Sequence, residues 1–391
     1  MDDSASAVSL PVHQRVLYAL GPALPLLACC VLAYLAWARF AGGTPSSVWV
    51  WLMPALLFVA VPLLDWGIGV DRRNQPDATD SKPRADAWCE GLLVVVAPLQ
   101  WLCTILGCWL VATWQPAAME FLGLVLTVGA VNGLGIVAAH ELGHRMVPWK
   151  RWCAVIGLAP SGYGHFIVEH NRGHHKHVAT PLDPASARLG ESFWRFLPRT
   201  LFGGLCSAWR LEADRLQHHG QPVLSWRNQN LQAWAVTAVL FAALTLWLGS
   251  LVLVFLLLQA LYAASQLEVV NYVEHYGLLR RQEADGRYER CAPEHSWNSD
   301  HIVTNFLLFQ LQRHSDHHAH PARPYTALRH FDVSPQLPSG YASMMLLAYC
   351  PPLWFAVMDP RVLRHYKLDL RRAHVHAPAR AGLLARYPLP V

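Results

Sequence analysis

Apolar residues in this chain gather into six runs long enough to cross a bilayer as helices, for which about 20 consecutive positions suffice. They run Val16–Trp37, Val48–Ile68, Gly91–Trp114, Glu120–Ala139, Leu231–Leu248 and Leu251–Val270. Only Gly249 and Ser250 part the last two, so they are expected to form a tight helical hairpin. A shorter apolar stretch, Cys153–Phe166, is broken by Gly and Pro and reads as re-entrant or buried. Ser192–Gln217 mixes Phe193, Trp194, Phe196, Leu201, Phe202 and Trp209 with Arg195, Arg199, Arg210 and Arg215. That mixture fits a helix lying in the membrane interface, or equally an amphipathic helix on a soluble cap. The first run lacks a strong basic lead-in and a small-residue cleavage site, so it is expected to remain as a helix. No internal repeat or low-complexity tract interrupts the pattern.

Composition agrees: 53% of the 391 residues are hydrophobic and only 15% charged, against about a quarter in soluble domains. The predicted fold class is therefore an all-α integral membrane protein with six transmembrane helices. The net charge of +5 is modest, and no basic stripe marks a nucleic-acid face. Nine cysteines form no CxxC pair and read as small hydrophobes, not as disulfides or zinc ligands.

Lysine and arginine asymmetry predicts the orientation. Arg72, Arg73, Lys82 and Arg84 follow the second run, Arg145, Lys150 and Arg151 the fourth, and Arg280 and Arg281 the sixth. The opposite side offers only Arg39. Both termini, and a helical cap of about 140–230 and 271–391, are thus expected on the cytoplasmic side.

Histidine is the outlier. Seventeen of 21 fall between His140 and His330, concentrated in four segments: His140-Glu-Leu-Gly-His144, Glu169-His170-Asn-Arg-Gly-His174-His175, Asn271-Tyr-Val-Glu274-His275-Tyr-Gly277 and Leu311-Gln-Arg-His314-Ser-Asp-His317-His318. Histidines four apart on a helix share a face and can share a metal. That pairs His140 with His144, His170 with His174, and His314 with His317 or His318. Adjacent histidines point about 100° apart and can serve two metals. A lone histidine is usually a surface or core residue; three clusters plus His275 on one membrane face call for metal. Nine imidazoles exceed one ion's needs and suit two, but imidazole alone fits iron, zinc, copper or nickel.

These segments resemble the membrane alkane 1-monooxygenase (alkane hydroxylase) family, within the wider membrane desaturase/hydroxylase superfamily. The resemblance extends from about Pro62-Leu-Leu-Asp65 to Met358-Asp-Pro360 and takes in Val178-Ala-Thr-Pro181 and Ser296-Trp-Asn-Ser299. The HxxxH and HxxHH patterns alone indicate the superfamily; Asn271–Gly277 and the long fourth segment are more specific. The resemblance implies a single oxygenase domain over 1–391, two iron ions in a non-haem di-iron centre without haem, and a reaction of O2 with the terminal methyl of an n-alkane. It implies nine ligands: His140, His144, His170, His174, His175, His275, His314, His317 and His318. It also implies electrons from rubredoxin, reduced by an NADH-dependent reductase. Arg361–Val391 holds no CxxC, so the rubredoxin is expected as a separate chain. The expected location is the bacterial cytoplasmic (inner) membrane.

A methyl C–H bond gives acid–base groups no purchase, so the cofactor must supply the oxidising power and the protein must hold and aim it. Candidates for orienting the imidazoles are Glu268, which shares a face of the sixth run with Asn271 and His275, and more weakly Asp300 and Asp316. Each also fits a structural hydrogen bond. Leu126, Gly129 or Ala130, Gly133 and Val137 lie below His140 on one face. That stripe reads as a slot for a linear alkyl chain, or as close helix packing through small residues. Arg313, Arg323 and Arg329 are a candidate docking face for an acidic rubredoxin, or for lipid phosphates. His177, His320 and His330 lie outside the matched positions and are expected not to be ligands.

Two kinds of alternative remain at the level of sequence. One is a related hydroxylase or desaturase acting on alkylbenzene methyl groups or fatty acyl chains. The other is a metal transporter, against which the spans carry few ionisable residues. A structural zinc site is disfavoured because nine histidines exceed four-coordinate closure.

Overall fold

The computed structural model describes residues 10, 12–44, 46–74, 86–145 and 147–389. Lys82 and Arg84 of the charge argument lie outside these residues. Among the described residues the chain is helical, with isolated β-bridges but no strand.

Among the described residues six helices are long and apolar enough to cross a membrane: α1 (Leu20–Phe40), α2 (Ser47–Ile68), α3 (Ala87–Trp114), α4 (Ala118–Gly143), and, beyond the cap segments, Gln229–Leu248 and Ser250–His275. Between them lie α5 (Pro148–Leu158) and α6 (Phe193–His218), so the last two spans are α7 and α8. Helix satisfies every backbone group internally, which hydrocarbon demands. Each span falls on a predicted run. Helices α4 and α8 continue past the apolar stretch through His140 and His275, so these histidines sit on span ends, as their helical spacing predicts.

The most buried span is α4, which packs against α3, α5 and α8. Polar side chains tie these elements together inside the apolar layer. Asn132 Nδ2 donates to Gln259 Oε1 at 2.6 Å and to Thr104 Oγ1 at 3.1 Å. Gln259 Nε2 donates to the Pro160 carbonyl at 2.7 Å, and Gln100 Nε2 to the Gly157 carbonyl. Gly135 leaves room for the Gln100 amide, which a Cβ at that position would displace. Hydrogen bonds of this kind between membrane helices contribute up to about 1–2 kcal/mol. Asn132→Leu, which strands Gln259 Oε1, is therefore expected to cost about 1 kcal/mol, read as an earlier unfolding midpoint in detergent.

Span α2 is irregular: 3₁₀ over Ser47–Trp51, π over Leu56–Ala60, then α over Val61–Ile68. Pro54 and Pro62 explain this, since each removes an N–H and frees the carbonyl four residues earlier. The stretch Cys153–Phe166 resolves into the buried end of α5 and a turn. Helix α6 buries Phe193, Phe196, Thr200, Gly204, Ala208, Glu212 and Leu216 along one stripe, while Trp194 and Phe202 stay exposed. Near the C-terminal end, Tyr341–Ala348 and Pro351–His365 form an apolar pair bent by 119° at a break before Pro351.

Candidate metal centre

Four elements deliver the histidines: the ends of α4 and α8, the helical segment 166–177, and α9 (His314–Ala319). Their ring nitrogens meet in two groups. His140, His144, His170, His175 and His317 form the first, and His174, His275, His314 and His318 the second; within each, the ligand atoms lie within 4.8 Å of one another. All nine matched histidines are in one group or the other. His320 instead bonds Asp316, and His330 bonds Asp300, both at 2.7 Å.

The helix-period expectation fails at one pair. His170 and His174 are four apart, yet they join different groups. Residues 170–174 form a π turn, whose i→i+5 pattern brings His170 and His175 to one centre, with Nε2 atoms 3.0 Å apart. His140 and His144 do share a group, and His314 goes with His318 while His317 crosses to the first.

Nε2 atoms face one another throughout: 3.0 Å for His140–His144, 3.1 Å for His140–His317, 3.2 Å for His144–His170, His174–His318 and His275–His314. A neutral imidazole has one N–H and one lone pair, so such a hub cannot satisfy all its members by mutual hydrogen bonds. A cation at each centre can. Burial first, then neighbouring imidazoles, holds His144, His170, His175, His314, His317 and His318 well below the ordinary imidazole range. They therefore present neutral lone pairs, the form that binds metal.

His174 differs. Burial pulls it down, but Asp183 beside its Nδ1 outweighs this and lifts it to about 9. Asp183 Oδ2 lies 3.0 Å from that Nδ1 and accepts from Ser186 Oγ at 2.6 Å. This contact takes up Nδ1 and aims Nε2 at the second group, where a bound cation would take the place of the Nε2 proton; a carboxylate so placed orients a ligand ring. A second carboxylate, Glu274, stands 3.1 Å from His314 Nε2 and accepts from Tyr341 at 2.8 Å. In the sequence Glu274 carries no evident role and Asp183 lies outside the four histidine segments. The former's signal was adjacency to His275; the latter's was a lone carboxylate soon after the second histidine segment. Asp183→Asn is expected to lower metal affinity at the second group by about 10–100-fold, measured by metal titration and retention on dialysis.

The three carboxylates singled out by sequence have other partners. Glu268 accepts from Tyr163 and Thr200 at 2.7 Å and from Asn271 at 3.2 Å. Asp300 holds His330 and lies 3.4 Å from Arg313 Nε. Asp316 faces away from the histidines it sits between, toward His320, Arg323 and the Arg329 backbone N–H. The expected cationic docking face changes accordingly. Arg313 is buried and bonds the Leu328 and Asp71 carbonyls, and Arg323 is paired with Asp316.

Beneath the histidines lies a narrow apolar cavity of about 70 Å³ between α2, α4, α8 and the cap. Val137, Val270 and Leu311 line its upper part, three to five residues before His140, His275 and His314; Ala130, Met53 and Leu24 line the rest. Gly133 also lines it. Gly129 does not: a Cβ there would stand 2.8 Å from the Gln259 carbonyl, so its role is close packing of α4 on α8.

The fatty acid desaturase family model matches residues 116–348, which encompass all four histidine segments. An alkane 1-monooxygenase of Acinetobacter baylyi is 42% identical over 96% of this chain and 92% of its own length. Another, of Pseudomonas putida, is 40% identical over 99% and 94%. The chain belongs to the alkane 1-monooxygenase family. It is an oxidoreductase and an integral membrane protein, and in that setting the histidine groups are read as a metal site. A more distant relative, the xylene/toluene monooxygenase hydroxylase component of Pseudomonas putida, is 27% identical over 63% of this chain and 66% of its own length.

Proposed function

We propose that this protein is a di-iron monooxygenase that hydroxylates the terminal methyl group of n-alkanes to primary alcohols, with electrons from a separate rubredoxin reduced by an NADH-dependent reductase. The observation that carries the reading is an imidazole hub above an apolar cavity lying among the spans. The balance is one methyl group, O2, two electrons and two protons giving one alcohol and one water.

The donors fit two cations of the borderline class that includes ferrous iron: five imidazoles in one group, and four with a nearby carboxylate in the other. We assign all nine histidines as ligands. Bound iron would supply the oxidising equivalent that no side chain here can provide. The protein's own tasks are separate. Asp183 holds the His174 ring by its Nδ1, and Glu274, fixed by Tyr341, flanks His314. The cavity walls exclude water and hold an alkyl chain with its end toward Val137, Val270 and Leu311, so the terminal carbon is the one presented. A hydrocarbon dissolved in the bilayer has no desolvation barrier to entering between α2 and α4.

In this account the whole chain is one oxygenase domain in the bacterial inner membrane, with the cap cytoplasmic, where rubredoxin resides. Product regiochemistry tests it: n-octane should give 1-octanol, and a dominant 2-octanol would show that the cavity does not present the chain end. The similarity to the xylene/toluene enzyme favours one second reading, an alkylbenzene methyl substrate. Competition between n-octane and p-xylene for turnover separates the two.

A further inference from the structure

A second cavity, of about 600 Å³, opens at the histidine-bearing end of the spans. It lies between the end of α4, the start of α5, the segment 166–177 and the first residue of α7. Arg145, Arg151 and Arg172 line it, together with Val147, Trp152 and Gln229; among the described residues no carboxylate does.

These guanidiniums are incompletely paired. Arg172 donates to Glu212 at 2.8 Å and to Gln229 at 2.7 Å, but Glu212 also accepts from Arg215 at 2.6 Å. Arg151 donates to the Gln232 amide oxygen at 3.1 Å, and its Nε is buried with no hydrogen-bond partner among the described residues. Arg145 has Glu141 as its carboxylate, at 3.9 Å, beyond hydrogen-bond reach. The cavity wall therefore carries an excess of positive charge.

Helix α5 sets the depth. It packs against α3, α4 and α7 and leaves Trp149, Trp152 and Ile156 exposed along one stripe. Trp101 of α3 donates to the Ile156 carbonyl at 2.9 Å, and Thr237 of α7 to the Ala159 carbonyl at 3.1 Å. Thr237 lies eight residues beyond Gln229, about 12 Å along α7, so α5 descends from the cavity into the apolar layer. Its two tryptophans stand at the upper end, the level at which such rings meet lipid headgroups.

We infer that this cavity is a headgroup site for an anionic phospholipid, its phosphate held by Arg145, Arg151 and Arg172. Basic pockets between membrane helices suit such headgroups, and guanidinium forks meet phosphate oxygens in pairs. A bound lipid joins the link between α4 and α5 to the segment 166–177 and so stabilises the fold. Free phosphate shares the chemistry but lacks the acyl chains that the α5 stripe would meet. A zwitterionic lipid brings its phosphate with a cation, which the arginines repel.

The test needs no turnover. Full-length protein, stripped of lipid in a neutral detergent, is titrated with phosphatidylglycerol, phosphatidylcholine or inorganic phosphate while its thermal midpoint is followed. Phosphatidylglycerol should raise the midpoint to saturation, and the other two should need about tenfold more. Arg151→Gln should weaken the phosphatidylglycerol response about fivefold. Val147→Asp should do the same by placing a carboxylate at an exposed lining position. Val147 is the N-cap of α5, where aspartate is favoured, so this variant serves if Arg151→Gln misfolds. Equal responses to the two lipids, or an unchanged phosphatidylglycerol response in a folded variant, overturn the inference. Inorganic phosphate acting at the lipid's own concentration would make this a free-anion site and overturn it too. So would a flat lipid response with a raised KM of Arg151→Gln for the protein electron donor, since the cavity would then receive protein carboxylates.

Discussion

Replacing His317 with alanine will lower the metal content from two ions per chain to about one and cut hydroxylation by more than 100-fold. Removing a residue that merely supports a ligand costs about 10–100-fold, and removing the ligand itself should exceed that. His317 is the demanding case because it comes from α9, far in sequence from the others of its group, and its Nε2 stands 3.1 Å from that of His140. It is fully buried, so the loss is not a surface effect. His320→Ala is the contrast: that ring bonds Asp316 and is half exposed, and metal content should not change. Retention of both ions and of turnover by the His317 variant would remove this residue from the ligand set.

Gly133→Phe will truncate the range of accepted alkanes. A Cβ at Gly133 would meet Gln266 Cβ at 3.4 Å, an ordinary contact, so Gly133→Ala should fold and differ little. A phenyl ring at the same place projects into a cavity of about 70 Å³ and occupies the part farther from the histidines than Val137. Chains long enough to reach that level should lose about 100-fold in kcat/KM, within the range that single pocket contacts decide, while short chains keep theirs. The chain-length profile from a mixed-alkane competition reads this directly. A uniform loss at every length would point to misfolding or to a damaged metal centre, and an unchanged profile would place the substrate elsewhere.

The six spans were legible because hydrocarbon forces one solution on the backbone and leaves a run of apolar residues as its record. The histidine segments were legible because metal ligands at helical spacing are rare by chance. What escaped was set by tertiary geometry. The π turn at 170–174 re-pairs His170 with His175, and no 3.6-residue period predicts it. Asp183 acquires meaning only when the chain folds it onto His174. Asp316, flanked by histidines in the sequence, points away toward Arg323. Gly129 and Gly133 look equivalent on a helical wheel, yet one meets a backbone carbonyl and the other opens on the cavity. Arg313 read as a surface cation and is an internal one.

The central claim is that the two histidine groups hold iron and turn it on a terminal methyl. Its direct test is a metal count on purified, iron-loaded protein together with turnover of a mid-length n-alkane by rubredoxin, its reductase and NADH. The account predicts about two irons per chain and a primary alcohol formed at one per O2 consumed. Zinc in place of iron after iron-replete expression, or two irons with no alcohol from any n-alkane, would contradict it.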